Sequence, residues 1–288
     1  MINDEAGPIT FPQARQGSIA AAAYVNNYLG GINGHPIKIE NCVGDASPAT
    51  AARCANQLVA KKPVAILGAA DVGESASLPT YARANLAYLG GIPLTPVPLK
   101  SPNSIQFSTV SYGDPIASAQ YAGKNGVKSV AIVFTDNPTG REHLTGIISA
   151  FNAAGVNKVT KVPVSPTSPD PSPQAALVQS SNADAVFIAL PGGCGNLLKS
   201  LKSVGYSGKV FGNDTCGSPP VIKAAAGAAD GVYFSSPFVL QNGSTKEAQL
   251  FQASMKKWAA PGTLIDSVST SGFATVMNVQ STLSQISG

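Results

Sequence analysis

The sequence predicts an alternating α/β fold, and three observations support this prediction. Alanine-rich helical stretches alternate with short runs of β-branched and apolar residues along most of the chain, a pattern typical of parallel sheets flanked by helices. The run 129–134 is almost continuously β-branched or aromatic, which favours a parallel strand covered on both faces. The stretch 30–37 contains three glycines, an asparagine and a proline, so a helix ends there, the backbone turns and a strand begins.

Predicted helices and strands alternate as far as residue 234. The predicted strands are 37–40, 64–67, 129–134, 159–164, 185–190, 209–211 and 232–234. The predicted helices are 15–29, about 47–61, 74–85, 140–154, one that ends near residue 181, 194–205, 218–228 and 245–259. Ser47-Pro48 and Asp114-Pro115 each place a capping side chain before a proline, so each is expected to open a helix. A last amphipathic helix carries on one side Phe273, Val276, Val279, Leu283 and Ile286.

Length and composition exclude several classes of protein. The 288 residues, 44% of them hydrophobic, are enough for two lobes that each have their own core. Only 12% are charged, which argues against disorder, and a net charge of +4 without a long basic cluster argues against a nucleic-acid partner. No apolar run approaches the roughly 20 residues that span a bilayer. The acidic first five residues contain no signal core, so the protein is either cytosolic or a form whose leader has been removed.

The four cysteines leave the compartment open. Cys42 and Cys54 are 12 positions apart, and Cys194 and Cys216 are 22 apart. Neither spacing fits the C-x-x-C pattern of a zinc or redox site. Two disulfides would indicate an oxidising compartment. Four free thiols are the alternative, because cysteine is often simply a small core residue.

Seven short segments, in a fixed order over about residues 7–240, carry a family resemblance. They are Gly7-Pro8 with Gly17, the turn 30–37, the turn 45–51, the strand 129–136, the ADAVF segment 183–187, the GND turn 212–214 and the ADGVY segment 229–233. Each segment is weak alone. In this order they resemble the type I periplasmic binding proteins, and most closely the branched-chain amino acid and amide group of ABC-transporter solute receptors.

The resemblance implies two Rossmann-like α/β lobes, with parallel-type sheets flanked by helices, that are joined by hinge crossings and close on a small molecule between them. Lobe I is expected to comprise 1–113 and 238–288, and lobe II 114–237. Asp114-Pro115 and Ser236-Pro237 mark the crossings, because proline breaks local regularity. Family members have a longer first strand and continue past the last helix, so part of that strand and a C-terminal segment are expected to be missing here.

The resemblance also implies an extracytoplasmic protein, either periplasmic or lipid-anchored at the cell surface, whose signal segment is absent from this chain. Such a compartment favours disulfides over free thiols. We therefore predict the bridges Cys42–Cys54 and Cys194–Cys216.

The loop 68–73 occupies the family position where two serine hydroxyls and helix N–H groups hold a ligand carboxylate. Asp71 and Val72 stand where the serines are expected, so one interpretation is an altered ligand. In the other, Asp71 caps the helix and the free N–H groups still bind an anion. Because ligands bind beyond the carboxyl ends of parallel strands, the predicted site comprises Asp71, Val72 and Gly73, together with Gly90 and Ile92 at the next strand end.

Five further residues complete the predicted site: Asp214, Thr139, Pro191, Phe11 and Tyr112. Asp214 matches the family residue that pairs with a ligand ammonium, although a turn aspartate that binds its own backbone is the alternative. Thr139 and Pro191 stand where amino acid receptors often carry tyrosines, which leaves more room for a ligand. Phe11 and Tyr112 are candidate aromatic walls, with ordinary packing as the alternative.

These features predict a solute-binding receptor of an ABC importer, with a membrane permease as partner and without a cofactor, a metal or catalytic residues. The expected ligand is a small amino acid or a related carboxylate or amide, and the substitutions favour something bulkier than leucine. One rival is a ligand-sensing domain of a signalling receptor with the same fold. The other is an α/β enzyme with Cys194 as nucleophile at a helix start.

Overall fold

A computed structural model describes residues 1–7, 10–93, 95–108, 110–165, 170–190, 192–238 and 243–286, with the side chains of 110–112 excepted. The chain divides into two compact units. Unit 1 is Met1–Thr109 with Phe238–Gly288, and unit 2 is Val110–Pro237. The first boundary falls at 109/110, where the predicted lobes placed it at 113/114.

The strands and helices alternate along most of the chain. The strands are β1 (Ile2–Asp4), β2 (Cys42–Gly44), β3 (Ile66–Gly68), β4 (Tyr88–Gly90), β5 (Ser104–Ile105), β6 (Ser129–Thr135), β7 (Lys158–Val164), β8 (Ala185–Ala189), β9 (Lys209–Gly212) and β10 (Tyr233–Phe234). The helices are α1 (Pro12–Tyr24), α2 (Pro48–Ala60), α3 (Glu74–Arg83), α4 (Val97–Lys100), α5 (Val110–Lys124), α6 (Pro138–Ala153), α7 (Ser172–Ser180), α8 (Cys194–Ser203), α9 (Pro219–Ala225), α10 (Lys246–Trp258) and α11 (Ser267–Leu283). The predicted parallel α/β class is confirmed.

Unit 2 is built on one parallel sheet with the strand order β10-β9-β8-β6-β7. Alternate residues of β6 enter two different cores: Ala131 and Val133 on one face, and Val130 and Ile132 on the other. The central strand is therefore buried on both faces, as its continuous apolar run predicts.

Unit 1 contains the parallel pair β1-β2 and the parallel sheet β3-β4-β5. The backbone N–H of Asp4 donates to the carbonyl of Ala70 at 2.9 Å. This bond brings the end of β1 next to the end of β3, so the carboxyl ends of the strands meet at one edge.

The helices α1 and α11 approach each other closely because both contain glycine at the contact. A Cβ at Gly17 would overlap the carbonyl oxygen of Ser269, and one at Gly272 would overlap that of Ala14. Beside this contact, the rings of Phe251 and Phe273 meet edge to face at 5.3 Å. This packing places α10 and α11 in unit 1.

Residues 37–40 do not form the predicted strand, and the hydrogen bonds of this part of the main chain explain why. The strand in this part of the chain is β2, which pairs with β1 from Cys42 to Gly44. The main chain of Ile37 instead bonds to the side chain of Asn26, at 2.7 and 2.9 Å. A β-rich sequence without a neighbouring strand remains an extended segment, since a strand needs a hydrogen-bonded neighbour.

The helix start predicted from the capping residue and proline at Asp114-Pro115 is wrong. The helix α5 begins at Val110, and Pro115 lies inside it. Asp114 does not cap the helix because its carboxyl group accepts a hydrogen bond from the backbone of Asp214, 100 residues away. By contrast, Ser47 accepts from Thr50 N as the cap of α2, as predicted.

Three short elements, β4, α4 and β5, lie between residues 85 and 114, where neither a helix nor a strand is predicted. They span three, four and two residues. Elements of this length carry no usable hydrophobic period.

Both predicted disulfides, Cys42–Cys54 and Cys194–Cys216, are present. Their Cα atoms are 5.6 and 5.5 Å apart. The first bridge joins the start of β2 to α2, and the second joins the start of α8 to the turn after β9.

Candidate functional site

Asp71 follows β3 at the carboxyl edge of unit 1 and is 2% exposed. Its Oδ1 accepts from Gly73 N at 2.9 Å, and its Oδ2 accepts from Ser77 Oγ at 3.3 Å. Burial, together with the charge of Asp4, raises the pKa of Asp71 to about 7. The bond to Gly73 N closes a turn just before α3, whose N-cap is Gly73 and has no side-chain cap bond, so Asp71 is not the helix cap of the second interpretation.

Asp4, which sequence reasoning missed, lies at the same edge and is 1% exposed. Its Oδ1 accepts from Ala46 N at 3.0 Å, and its Oδ2 accepts from Val72 N at 2.8 Å. Burial raises the pKa of this carboxyl group, while the two backbone donors oppose the rise. The available signal was its place at the end of β1, because carboxyl ends of strands meet at one edge.

Three N–H groups around the start of α3, where free donors for an anion were expected, donate to the protein itself. Val72 N donates to Asp4, and Gly73 N donates to Asp71. Glu74 N donates to the carbonyl of Asp71 at 3.2 Å. The protein's own oxygens therefore take these three donors.

The other predicted residues of unit 1 surround this edge. Ile92 is 8% exposed, and its N–H donates to the carbonyl of Ala69 at 3.2 Å, so the ends of β4 and β3 are joined. Gly90 has φ 72°, and a Cβ there would lie 2.6 Å from Thr275 Oγ1. Phe11 is half-buried, and its N–H donates to the carbonyl of Asp4 at 2.7 Å. Phe11 thus lies next to Asp4 through its backbone.

In unit 2, Asp214 begins a short 3-10 turn after β9 and is half-buried. Its Oδ1 accepts from Thr215 N at 2.8 Å, as a turn aspartate does. Its own N–H donates to Asp114 Oδ2 at 3.2 Å. Asp114 is 4% exposed, and burial, followed by the charge of Asp214, raises its pKa to about 8. The two side chains form a carboxyl pair that no local sequence pattern indicates, since they are far apart in the chain.

Three predicted positions of unit 2 remain as predictions. Thr139 is half-buried in the first turn of α6, after the cap Asn137, whose side chain accepts from Gly140 N at 2.7 Å. Pro191 and the side chain of Tyr112 lie outside the described residues.

A groove of about 670 Å³ lies elsewhere in unit 1. Its walls include Met1, Ile37, Ile39, Val64 and Leu67. These residues lie toward the amino ends of the strands, away from the loops that carry the predicted ligand-binding residues. The groove follows the extended segment 37–40, which has no strand beside it.

Cys194 is bonded to Cys216, so its sulfur is not available as the nucleophile of the enzyme hypothesis. Within the described ranges, no group of three His, Cys, Asp or Glu side chains could hold a metal ion. Of the helices that the structure describes, none has the length and apolar character needed to cross a bilayer.

A family model described as "Periplasmic binding protein" matches residues 1–285, nearly the whole chain. This chain belongs to the periplasmic binding protein family. Comparison with curated proteins gives no match. The predicted family resemblance is confirmed, and the fold of the two units agrees with it.

Solved structures of this family are similar over essentially the full chain. A possible leucine/isoleucine/valine-binding protein from Rhodopirellula baltica has a TM-score of 0.87 at 14% identity, covering 100% of this chain and 81% of that one. A leucine-binding protein from Thermotoga maritima has a TM-score of 0.81 at 17% identity, covering 99% and 81%. An ABC-transporter solute-binding protein from Rhodopseudomonas palustris in complex with 3,4-dihydroxybenzoic acid has a TM-score of 0.78 at 23% identity, covering 99% and 79%. At these identities the similarity establishes the fold.

Proposed function

We propose that this periplasmic binding protein is the extracytoplasmic solute receptor of an ABC importer and binds its ligand without changing it. The observation that carries the proposal is the family match over residues 1–285. The two disulfides support the location, because such bridges persist in oxidising compartments. The implied partners are one small molecule and a membrane permease.

Two sets of relatives support the proposed ligand classes. Some structural neighbours are described as leucine-binding proteins, and others as complexes with benzoate or hydroxybenzoates. Thr139 and Pro191 in place of tyrosines favour the larger compounds. The proposed ligand is a small amino acid or a related carboxylate or amide, and an aromatic acid fits the substitutions.

The proposed ligand-binding residues lie in loops at the carboxyl ends of strands in each unit. In unit 1 they are 71–73 with Gly90 and Ile92, and in unit 2 they include Asp214, which is half-buried at the end of β9. A half-buried carboxylate at this edge is suited to a ligand ammonium or hydroxyl, because charged hydrogen bonds are stronger than neutral ones.

A thermal-shift panel of aliphatic amino acids and aromatic acids tests this proposal, since a saturating ligand stabilises a protein by mass action. One class should raise Tm in a saturable way. Asp214→Ala should weaken binding of an ammonium-bearing ligand by at least about tenfold in calorimetry, because a charged hydrogen bond contributes roughly 1.5–3 kcal/mol. Unchanged affinity would assign Asp214 a structural role, and no shift with any compound would contradict the proposed ligand classes.

A further inference from the structure

The carboxylate of Asp4 lies at the start of two helices of unit 1. Its Oδ1 accepts from Ala46 N, in the turn that leads into α2, at 3.0 Å. Its Oδ2 accepts from Val72 N, in the turn that leads into α3, at 2.8 Å. Both helix dipoles direct their positive ends toward this edge, and helix N-termini favour anions. One side chain therefore holds the position in which these two helix starts would bind an anion.

The surrounding chain is shaped to hold this carboxylate. Asp4 is 1% exposed, and a Cβ at Gly44, the residue opposite it on β2, would overlap its Oδ1. A Cβ at Gly73 would lie 2.6 Å from the Cβ of Ala51, so the start of α3 packs closely against α2. The carboxylate, which β1 carries, is thus held in place by β2 and by the two helix starts.

Three other donors at the two helix starts are also satisfied from within. Ser47 N donates to Asp45 Oδ1 at 3.0 Å, and Thr50 N donates to Ser47 Oγ at 3.2 Å. Gly73 N donates to Asp71 Oδ1 at 2.9 Å. A carboxylate brought to this edge would lose its hydration and meet two buried acidic groups, Asp4 and Asp71, which is unfavourable for like charges.

We propose that Asp4 is an internal anion that determines specificity: it fills the anion position of unit 1, so that the solute presents an uncharged or cationic group to this unit. The proposal rests on the proposed function, because it concerns which end of the bound solute contacts unit 1. A carboxylate carried by the solute is then held elsewhere than at the start of α3.

Chemical rescue tests the proposal at about pH 8, with sodium formate as the probe and sodium chloride at equal ionic strength as the control. Asp4→Gly empties the position and should lower Tm, and formate should restore a saturable part of the loss, about 2–4 °C. Wild-type protein should show no formate-specific shift, because Asp4 already fills the position. Asp4→Asn is the matched control: its side chain still occupies the position, so formate should not stabilise it. Equal formate shifts in all three proteins, or none in the glycine variant, would overturn the proposal.

A second measurement uses wild-type protein alone, so that it does not depend on the folding of the glycine variant. In ¹⁵N-labelled protein, the amide signals of Ala46 and Val72 should stay in place during titration with formate, because both amides already donate to Asp4. A saturable shift of the Val72 amide with formate would overturn the proposal. If the proposed function is wrong, no solute of the panel will bind. The formate rescue is measured without that panel, so the two failures can be distinguished.

Discussion

Asp114→Asn should flatten the pH dependence of the stability of unit 2. Asp114 is 4% exposed, and its Oδ2 accepts the N–H of Asp214 at 3.2 Å. Burial, followed by the charge of Asp214, raises its pKa to about 8. In an unfolded chain the pKa of an aspartate is about 3.9. Between these two values, the folded protein keeps a proton that the unfolded chain has lost.

The free energy of unfolding therefore falls as pH rises, by about 1.4 kcal/mol per pH unit for one proton. The contribution is fully present below about pH 4 and is lost progressively toward pH 8. From about pH 5.5 to about pH 7.5 the loss for this group is at most about 3 kcal/mol. Asparagine does not titrate, and its amide offers Asp214 both a donor and an acceptor. The variant should thus lack this loss.

Urea unfolding of both proteins at the two pH values measures the effect. The stability of the variant relative to wild type should rise by about 2–3 kcal/mol between the lower and the higher pH. Asp4, Asp71 and Asp266 also have raised pKa values, but they are present in both proteins and cancel in the difference. A difference that is the same at both pH values would refute the assignment of the proton to Asp114.

Two further predictions concern the framework of unit 1. Replacing Cys42 and Cys54 together by serine should lower the free energy of unfolding by about 2–4 kcal/mol, because the bridge restricts the unfolded chain. Urea unfolding measures this, and an unchanged midpoint would contradict it. Gly17→Ala should cost about 1–3 kcal/mol, since the new Cβ overlaps the carbonyl oxygen of Ser269. Gly192→Ala, where nothing lies within 4 Å, is the control and should leave Tm nearly unchanged; equal losses would show that helix approach is not what Gly17 provides.

The elements predicted well from the sequence are those whose signal is local and long. The strand β6 spans seven residues, nearly all apolar, and the capped start of α2 lies within four residues of sequence. The strand predicted at 37–40 has an equally good local pattern, but the main chain of Ile37 bonds to the distant side chain of Asn26 instead of to a strand. The three short elements between 88 and 105 fall below the length at which a period can be recognised.

The sequence predicted at which strand ends the candidate site residues lie, but it did not predict their hydrogen-bond partners. Strand ends directed attention to Asp71 and Asp214, and both lie at carboxyl edges in the structure. Their partners were not predictable from local sequence patterns. Asp4 lies 67 residues before Asp71 in the chain, and Asp114 accepts the hydrogen bond of Asp214 across 100 residues. Whether a helix start is free or already satisfied depends on such distant side chains, so the sequence alone left open whether the start of α3 binds an anion.

The central claim is that the protein binds one small solute and releases it unchanged. Native mass spectrometry of the protein mixed with the amino acid and aromatic acid panel tests this directly, with the solute recovered after denaturation and weighed. A solute receptor should show one solute bound per chain for a single chemical class, and a recovered mass identical to that of the compound added. Recovery of a chemically altered compound, or the absence of a bound complex with every member of the panel, would contradict it.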